Sequence, residues 1–188
     1  MYKFVILFLI LALPIIVFSQ SRVKLKNDTI IWKKDYKLSK ADFKGRYRLE
    51  KNVKAQIASS IYIYFIEIDT DLKVKVEAIF LKSKSAIYAD SKYTLKHEQI
   101  HFDITELYAR KLRQAIYNTD FTKVKDIRET ISKLYKKTLK DWDIEQTKFD
   151  KDVENGMNPA KQEIWLNNIQ KNLNDFKDFS SPIVTISK

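Results

Sequence analysis

Between residues 72 and 80 the chain alternates. Leu72, Val74, Val76, Ala78 and Phe80 are apolar, and Lys73, Lys75 and Glu77 between them are charged. A period of two puts the apolar side chains on one side of an extended strand, which must therefore cover a core with that face only. Such a strand needs an antiparallel neighbour. The run 55–68, rich in Ile and Tyr although less cleanly alternating, supplies one, with Asp69-Thr70-Asp71 as the turn of a hairpin. Thr29-Ile30-Ile31-Trp32 is a further short strand candidate, and a polar turn comes next at residues 38–45.

After Asp90 the period changes. Ser91 is a plausible N-cap, and residues 93–117 contain neither Gly nor Pro. Ile100, Ile104, Leu107, Leu112, Ala115 and Ile116 fall at helical spacing. A second helix is expected over about 122–154, with an apolar stripe that includes Ile131, Trp142, Phe149 and Val153. Asn155-Gly156 ends it, the glycine serving as a left-handed cap. Asn158-Pro159 starts a third helix, cap then first-turn proline, with Ile164, Trp165, Ile169, Leu173 and Phe176 as its buried side. Strands and helices in separate blocks predict an α+β fold: an antiparallel β-hairpin or small sheet followed by three helices. Two glycines and three prolines in 188 residues fit long elements with few tight turns.

The first residues belong to a different physical class. Met1-Tyr2-Lys3 carries a positive charge, residues 4–18 are apolar with Pro14 inside, and Ser19 is small. That order is the pattern of a secretory signal peptide, and the run is shorter than the roughly 20 residues of a spanning helix. The expectation is a signal peptide over 1–19, an exported (periplasmic or secreted) domain over 20–188, and no stable membrane span after cleavage. An uncleaved anchor is the alternative. There is no cysteine, so neither a disulfide nor a cysteine-linked lipid supports the fold, and stability must come from a packed core.

A formal charge of +11 biases the chain toward acidic partners. Its lysines are spread along the chain, however, without an arginine-rich block or an aromatic-interleaved basic stripe, so no specific nucleic-acid binding is expected. The basic runs 108–113 and 133–137 read as solvated helix faces.

The only two histidines stand four apart, in His97-Glu98-Gln99-Ile100-His101. On a helix, positions four apart lie about 40° from one another and one turn up, so both imidazoles can hold one ion. Glu98 emerges about 100° further round, where it can reach a water on that ion without ligating the metal itself. This is the metalloprotease arrangement, with the glutamate as general base. The competing interpretation is a pair of core histidines, because both flank the apolar stripe.

These residues resemble a family. His97-Glu98-Gln99-Ile100-His101-Phe102-Asp103-Ile104, with Glu106 and Arg110 after it, is similar to uncharacterised exported bacterial proteins regarded as predicted secreted zinc-dependent proteases. Leu38-Ser39-Lys40-Ala41-Asp42-Phe43-Lys44-Gly45 resembles the family's N-terminal Leu-Ser/Thr-x-x-Asp-Phe-x-Gly stretch. Residues 146–156 resemble its Gln-x-x-Tyr-Asp-x-x-Thr-x-His-Gly segment, and Gln162-Glu163-Ile164-Trp165 is similar to the family residues C-terminal to that segment. The resemblance implies a single zincin-like domain with zinc (Zn2+) on His97 and His101, Glu98 catalytic, and a peptide or protein substrate. The chain departs from the pattern at Phe149, Val153 and Asn155, where the family has Tyr, Thr and His.

A catalytic zinc site takes three protein ligands and a water. Glu106 lies about 180° and Asp103 about 120° round the helix from His97, so both are expected to cap, to pair with lysines or to bind elsewhere. Asp150 lies beside the buried stripe of the second helix and matches the family's Asp position. It is the expected third ligand, with Glu154 as the weaker alternative and Asn155 a poor one. Tyr108 is a candidate oxyanion donor. Two functions compete: a secreted zinc metallopeptidase whose substrate lies extended along an open edge of the hairpin sheet, and an exported metal-binding or protein-interaction domain that has lost the chemistry.

Overall fold

A computed structural model describes residues 27–46, 54–68, 71–88 and 91–186, with the backbone alone at 67, 68 and 71. The expected signal segment 1–19 and the turn residues Asp69 and Thr70 lie outside the described residues. Among the described residues the architecture is α+β: two small antiparallel sheets and three long helices.

The alternating segment becomes the central strand. β3 (Ser59–Ile68) and β4 (Asp71–Leu81) pair in one unbroken register from Ser59↔Phe80 to Ile68↔Asp71. On the other edge of β4, β1 (Thr29–Ile31) pairs with residues 79–81, and β6 (Ile183–Ile186) with residues 72–75. The C-terminal strand was not among the elements expected from sequence. Four residues after Pro182 are too short a run to carry a period of their own. Val74, Val76, Ala78 and Phe80 are at most 1 % exposed, with Ile61 on β3 opposite Ala78 and Val184 on β6 opposite Val74. Each fully buried side chain of this size contributes about 1.5–3 kcal/mol of transfer free energy.

The run 55–68 is not one strand. β2 (Ala55–Gln56) pairs with β5 (Ala86–Ile87) in a separate two-stranded sheet, and the chain breaks at Ile57 and Ala58 before β3 begins. Ser85 Oγ accepts the Ala58 N–H at 2.9 Å, and the Ile57 N–H is given to the Glu98 carboxylate. Irregular alternation in this stretch has a cause: two backbone donors leave the ladder for side chains.

Helix α1 (Lys92–Tyr117) lies on the sheet, covered on its other side by α2 (Ile127–Asp152) and α3 (Pro159–Asp175). The caps at all three starts are side-chain oxygens. Ser91 accepts from Thr94 N, Asp126 from Glu129 N and Asn158 from Lys161 N. Asp126 starts α2 later than the expected residue 122, because residues 121–123 form a separate 3-10 turn. α2 is followed by three residues of positive φ, Glu154 (54°), Asn155 (51°) and Gly156 (79°).

Two sequence expectations are overturned by the packing of the helices. The run 108–113 is not a solvated face: Tyr108, Arg110 and Arg113 are at most 7 % exposed and Ala109 and Leu112 are fully covered, since α1 is wrapped on all sides. Ile164 is 58 % exposed, and the covered face of α3 is formed by Gln162, Ile169 and Leu173. An amide takes the place expected for an aliphatic group, and its partner is His97.

The polar turn at 38–45 braces α1 from outside. The Asp42 carboxylate accepts from Ser39 N (2.8 Å), Ser39 Oγ (2.9 Å) and Tyr36 OH (2.8 Å). Leu38 N donates to Gln99 Oε1 at 2.9 Å, and Phe43 meets Phe80 edge-on at 5.2 Å.

Candidate metal centre

α1 delivers His97, Glu98 and His101 to the floor of a cavity of about 1060 Å³, whose walls include residues 54–59 and the cavity-facing side of α2. The helix puts both imidazoles on one side by its four-residue repeat, and α2 brings Asp150 to them. His97 Nε2 and His101 Nε2 stand 3.2 Å apart, and Asp150 Oδ1 is 3.0 Å from His101 Nε2 and 3.2 Å from His97 Nε2. Three atoms converge in a near-equilateral triangle.

The ring tautomers are set by what holds the far nitrogens. Gln146 Nε2 donates to His101 O (3.0 Å) and Thr105 Oγ1 (3.2 Å), so its Oε1 faces His101 Nδ1 at 2.6 Å and accepts that N–H. Gln162 Nε2 donates to Tyr93 O (3.4 Å), leaving its Oε1 to accept from His97 Nδ1 at 3.3 Å. This is why an amide occupies the covered face of α3. With both Nδ1 atoms protonated, both Nε2 atoms present lone pairs to each other and to a carboxylate oxygen. In that state three acceptors face one another, and they are joined either by a proton on a ring nitrogen, which then donates to Asp150, or by a metal cation among them. Metal bonds of roughly 2.0–2.1 Å at tetrahedral angles put ligand atoms about 3.3 Å apart, close to the triangle seen. The residues fit an ion: His97, His101 and Asp150 form a group that could hold one.

Packing keeps the rings in place. Phe149, fully buried, stacks on His97 at 4.8 Å and meets His101 edge-on at 4.8 Å, with Trp165 against its other side at 5.4 Å. Gly156 backs onto the His97 ring, and a Cβ there would sit 3.5 Å from Nδ1. That distance is ordinary contact, so what favours glycine is its positive φ.

The electrostatics of the ion-free cluster are coupled. Burial raises the Glu98 pKa, against the pull of His101, His97 and the Ile57 N–H. Burial by itself would lower His101, but its bond to Asp150 and the nearby Glu98 charge outweigh that and raise it. Asp150 is also penalised by burial, and the two imidazoles bonded to it hold it well below the usual carboxylate range.

The other sequence candidates lie elsewhere. Glu154 sits past the end of α2 on an exposed turn and accepts from Asn158 Nδ2 at 3.0 Å, apart from the triangle. The reversal of the chain into positive φ carries it away. Asn155 lines the cavity. Tyr108 does not line the cavity: its hydroxyl is bonded to Glu145, Lys111 Nζ lies 4.1 Å over its ring, and burial with those acidic neighbours pushes its pKa to about 12. Asp103 and Glu106 do pair, but not with lysines. Asp103 accepts from Trp32, Gln99 and Gln170, and Glu106 from Arg110 and Arg113. Sequence reasoning gave no role to Gln146 and Gln162. Gln146 stands four residues before Asp150, on the same side of α2, and that spacing was the available signal.

Residues 83–157 match a family model described as "Bacterial protein of unknown function (DUF922)". That span of the chain resembles an uncharacterised bacterial family. It is less than half of the sequence, but it contains the whole triangle, Glu98 and the turn behind His97. No curated protein and no solved structure matches the chain. Among the described residues, no helix is long and apolar enough to cross a membrane.

Proposed function

We propose that this protein is an exported zinc-dependent metallopeptidase, a single zincin-like domain over residues 20–188 that hydrolyses peptide bonds in a peptide or protein substrate. The convergence of two Nε2 lone pairs and one carboxylate oxygen beside a buried glutamate carries this reading. Two imidazoles and a carboxylate suit zinc, and zinc at such a site lowers the pKa of a water to about 7 and polarises a carbonyl.

The protein's own groups supply the rest. Glu98 is 3 % exposed and raised by burial, which moves a carboxylate toward the pKa that suits a base near neutrality. Its Ile57 hydrogen bond fixes the carboxylate at the junction of β2 and β3. There Glu98 takes the proton of the attacking water and returns it to the leaving amine. Gln146 and Gln162 hold the imidazoles in the ligating tautomer, and Phe149 fixes the angle between them. The substrate lies extended along residues 54–59, which wall the cavity, rather than along the hairpin edge, and adds to that segment by backbone hydrogen bonds. Asn155 in place of a histidine does not remove the chemistry, because Asp150 completes the set of three.

The test is metal analysis and peptide-library cleavage with the mature protein, Glu98→Gln and His101→Ala. About one zinc per chain is expected in the first two and almost none in the third, with cleavage by the wild type alone. Cleavage by Glu98→Gln at the wild-type rate would refute the assignment. Metal retention with no cleavage by any form would leave the competing reading, an exported metal-binding domain without chemistry.

A further inference from the structure

The far half of α1 borders a second cavity, of about 600 Å³, that the metal chemistry does not use. Its inner wall holds two guanidiniums and one carboxylate. Glu106 Oε1 accepts from Arg110 Nε (2.9 Å) and Arg113 Nη1 (2.9 Å), and Oε2 accepts from Arg113 Nη2 at 3.2 Å. All three residues are at most 7 % exposed. Asp103, 1 % exposed and bonded to the wall residues Trp32 and Gln170, is a second buried carboxylate beside the two guanidiniums, so the buried charges here are balanced. The other acid on the wall, Glu77, is already engaged by Lys75 Nζ at 2.7 Å. At the mouth, Lys33, Lys34 and Lys177 are exposed and enter no ion pair among the described residues. The remaining walls are mixed: Trp32, with the Arg110 guanidinium 5.3 Å above its ring, Leu173 and Pro182 are apolar, and Gln170, Asn174 and Ser180 are polar.

We infer that this cavity binds a small organic anion, its oxyanion head among the three lysines and its apolar body against Trp32 and Leu173. The volume suits such a molecule, and the three exposed lysines supply the positive charge that an anion would meet. Arg113 contributes charge only, since its donors are spent on Glu106 and on the carbonyls of Val76 and Phe179. Hydrogen bonds to the ligand come from the lysine ammonium groups and the Asn174 amide. The inference is independent of the metal centre.

Carboxylate and phosphate esters share this chemistry, so the experiment runs both. Calorimetric titration of the mature protein uses benzoate, phenyl phosphate and inorganic phosphate at ionic strength matched with sodium chloride. Three variants go alongside: Lys33→Gln/Lys34→Gln/Lys177→Gln, the remote control Lys125→Gln/Lys136→Gln/Lys140→Gln, and His101→Ala. Saturable binding of an aromatic anion is expected, tighter than inorganic phosphate, weakened at least about tenfold in the first variant and unchanged in the other two. Whichever aromatic anion binds more tightly identifies the head group. The inference is overturned by any one of three outcomes: no binding beyond the chloride control, equal loss in both lysine triples, or inorganic phosphate binding as tightly as either aromatic anion.

Discussion

The two ends of α1 bury polar groups in opposite ways. Toward its start, His97, His101 and the facing Asp150 turn two ring nitrogens and a carboxylate oxygen on one another, with no donor among them other than a proton on a ring nitrogen. Toward its end, Arg110 and Arg113 distribute their donors to Glu106 and to the carbonyls of Leu173, Val76 and Phe179, tying the helix to α3, β4 and the 3-10 turn before β6. One end is matched for holding the fold together; the other gathers three atoms that a proton or a cation must join. Burial alone therefore does not separate a structural polar residue from a functional one. The donor–acceptor count does.

That contrast is open to direct attack. Asp150→Ala should take the protein from about one bound ion per chain to almost none, read by metal analysis, while the secondary-structure spectrum stays unchanged. Glu106→Gln should do the reverse. It leaves two buried guanidiniums without their carboxylate, at an expected cost of about 3–5 kcal/mol in urea unfolding, while the folded fraction keeps its ion. If Glu106→Gln unfolds at the wild-type midpoint, the structural role given to that end is wrong. Gln146→Ala removes only the support behind His101 and should weaken the ion about 10–100-fold in a competitive chelator titration. Gln162→Ala should weaken it less, its contact to His97 being longer at 3.3 Å. Lys171→Ala is the baseline: the exposed pair with Asp175 on α3 is worth less than about 0.5 kcal/mol, and a larger shift in unfolding midpoint would show that the method is not isolating the ends of α1.

Much of the fold was legible because period and caps are local. The alternation at 72–80, the caps Ser91 and Asn158 and the glycine after α2 all act within one turn of where they are written. The matched pair His97 and His101 was legible for the same reason. What the sequence concealed depends on distant partners. Arg110 and Arg113 look like solvated lysine-type positions until Val76 and Leu173 are seen to face them. Gln162 looks like a surface residue until the chain returns it to His97, and Ile164 was placed inward because a helix wheel shows apolarity but not which neighbour arrives. Asp150 stood between these cases. Its side of the helix was readable, yet its position against the imidazoles required the packing of α2 on α1.

The triangle draws on residues 97, 101 and 150, and its supports on 146 and 162, from three separate helices. An incompletely folded chain has a pair of imidazoles on a nascent helix and little else with which to retain an ion. For the metal site proposed, loading would thereby follow the packing of all three helices. For the peptidase proposed, this is a built-in delay: a polypeptide still collapsing carries no assembled centre and cannot turn on its neighbours before its own helices have closed.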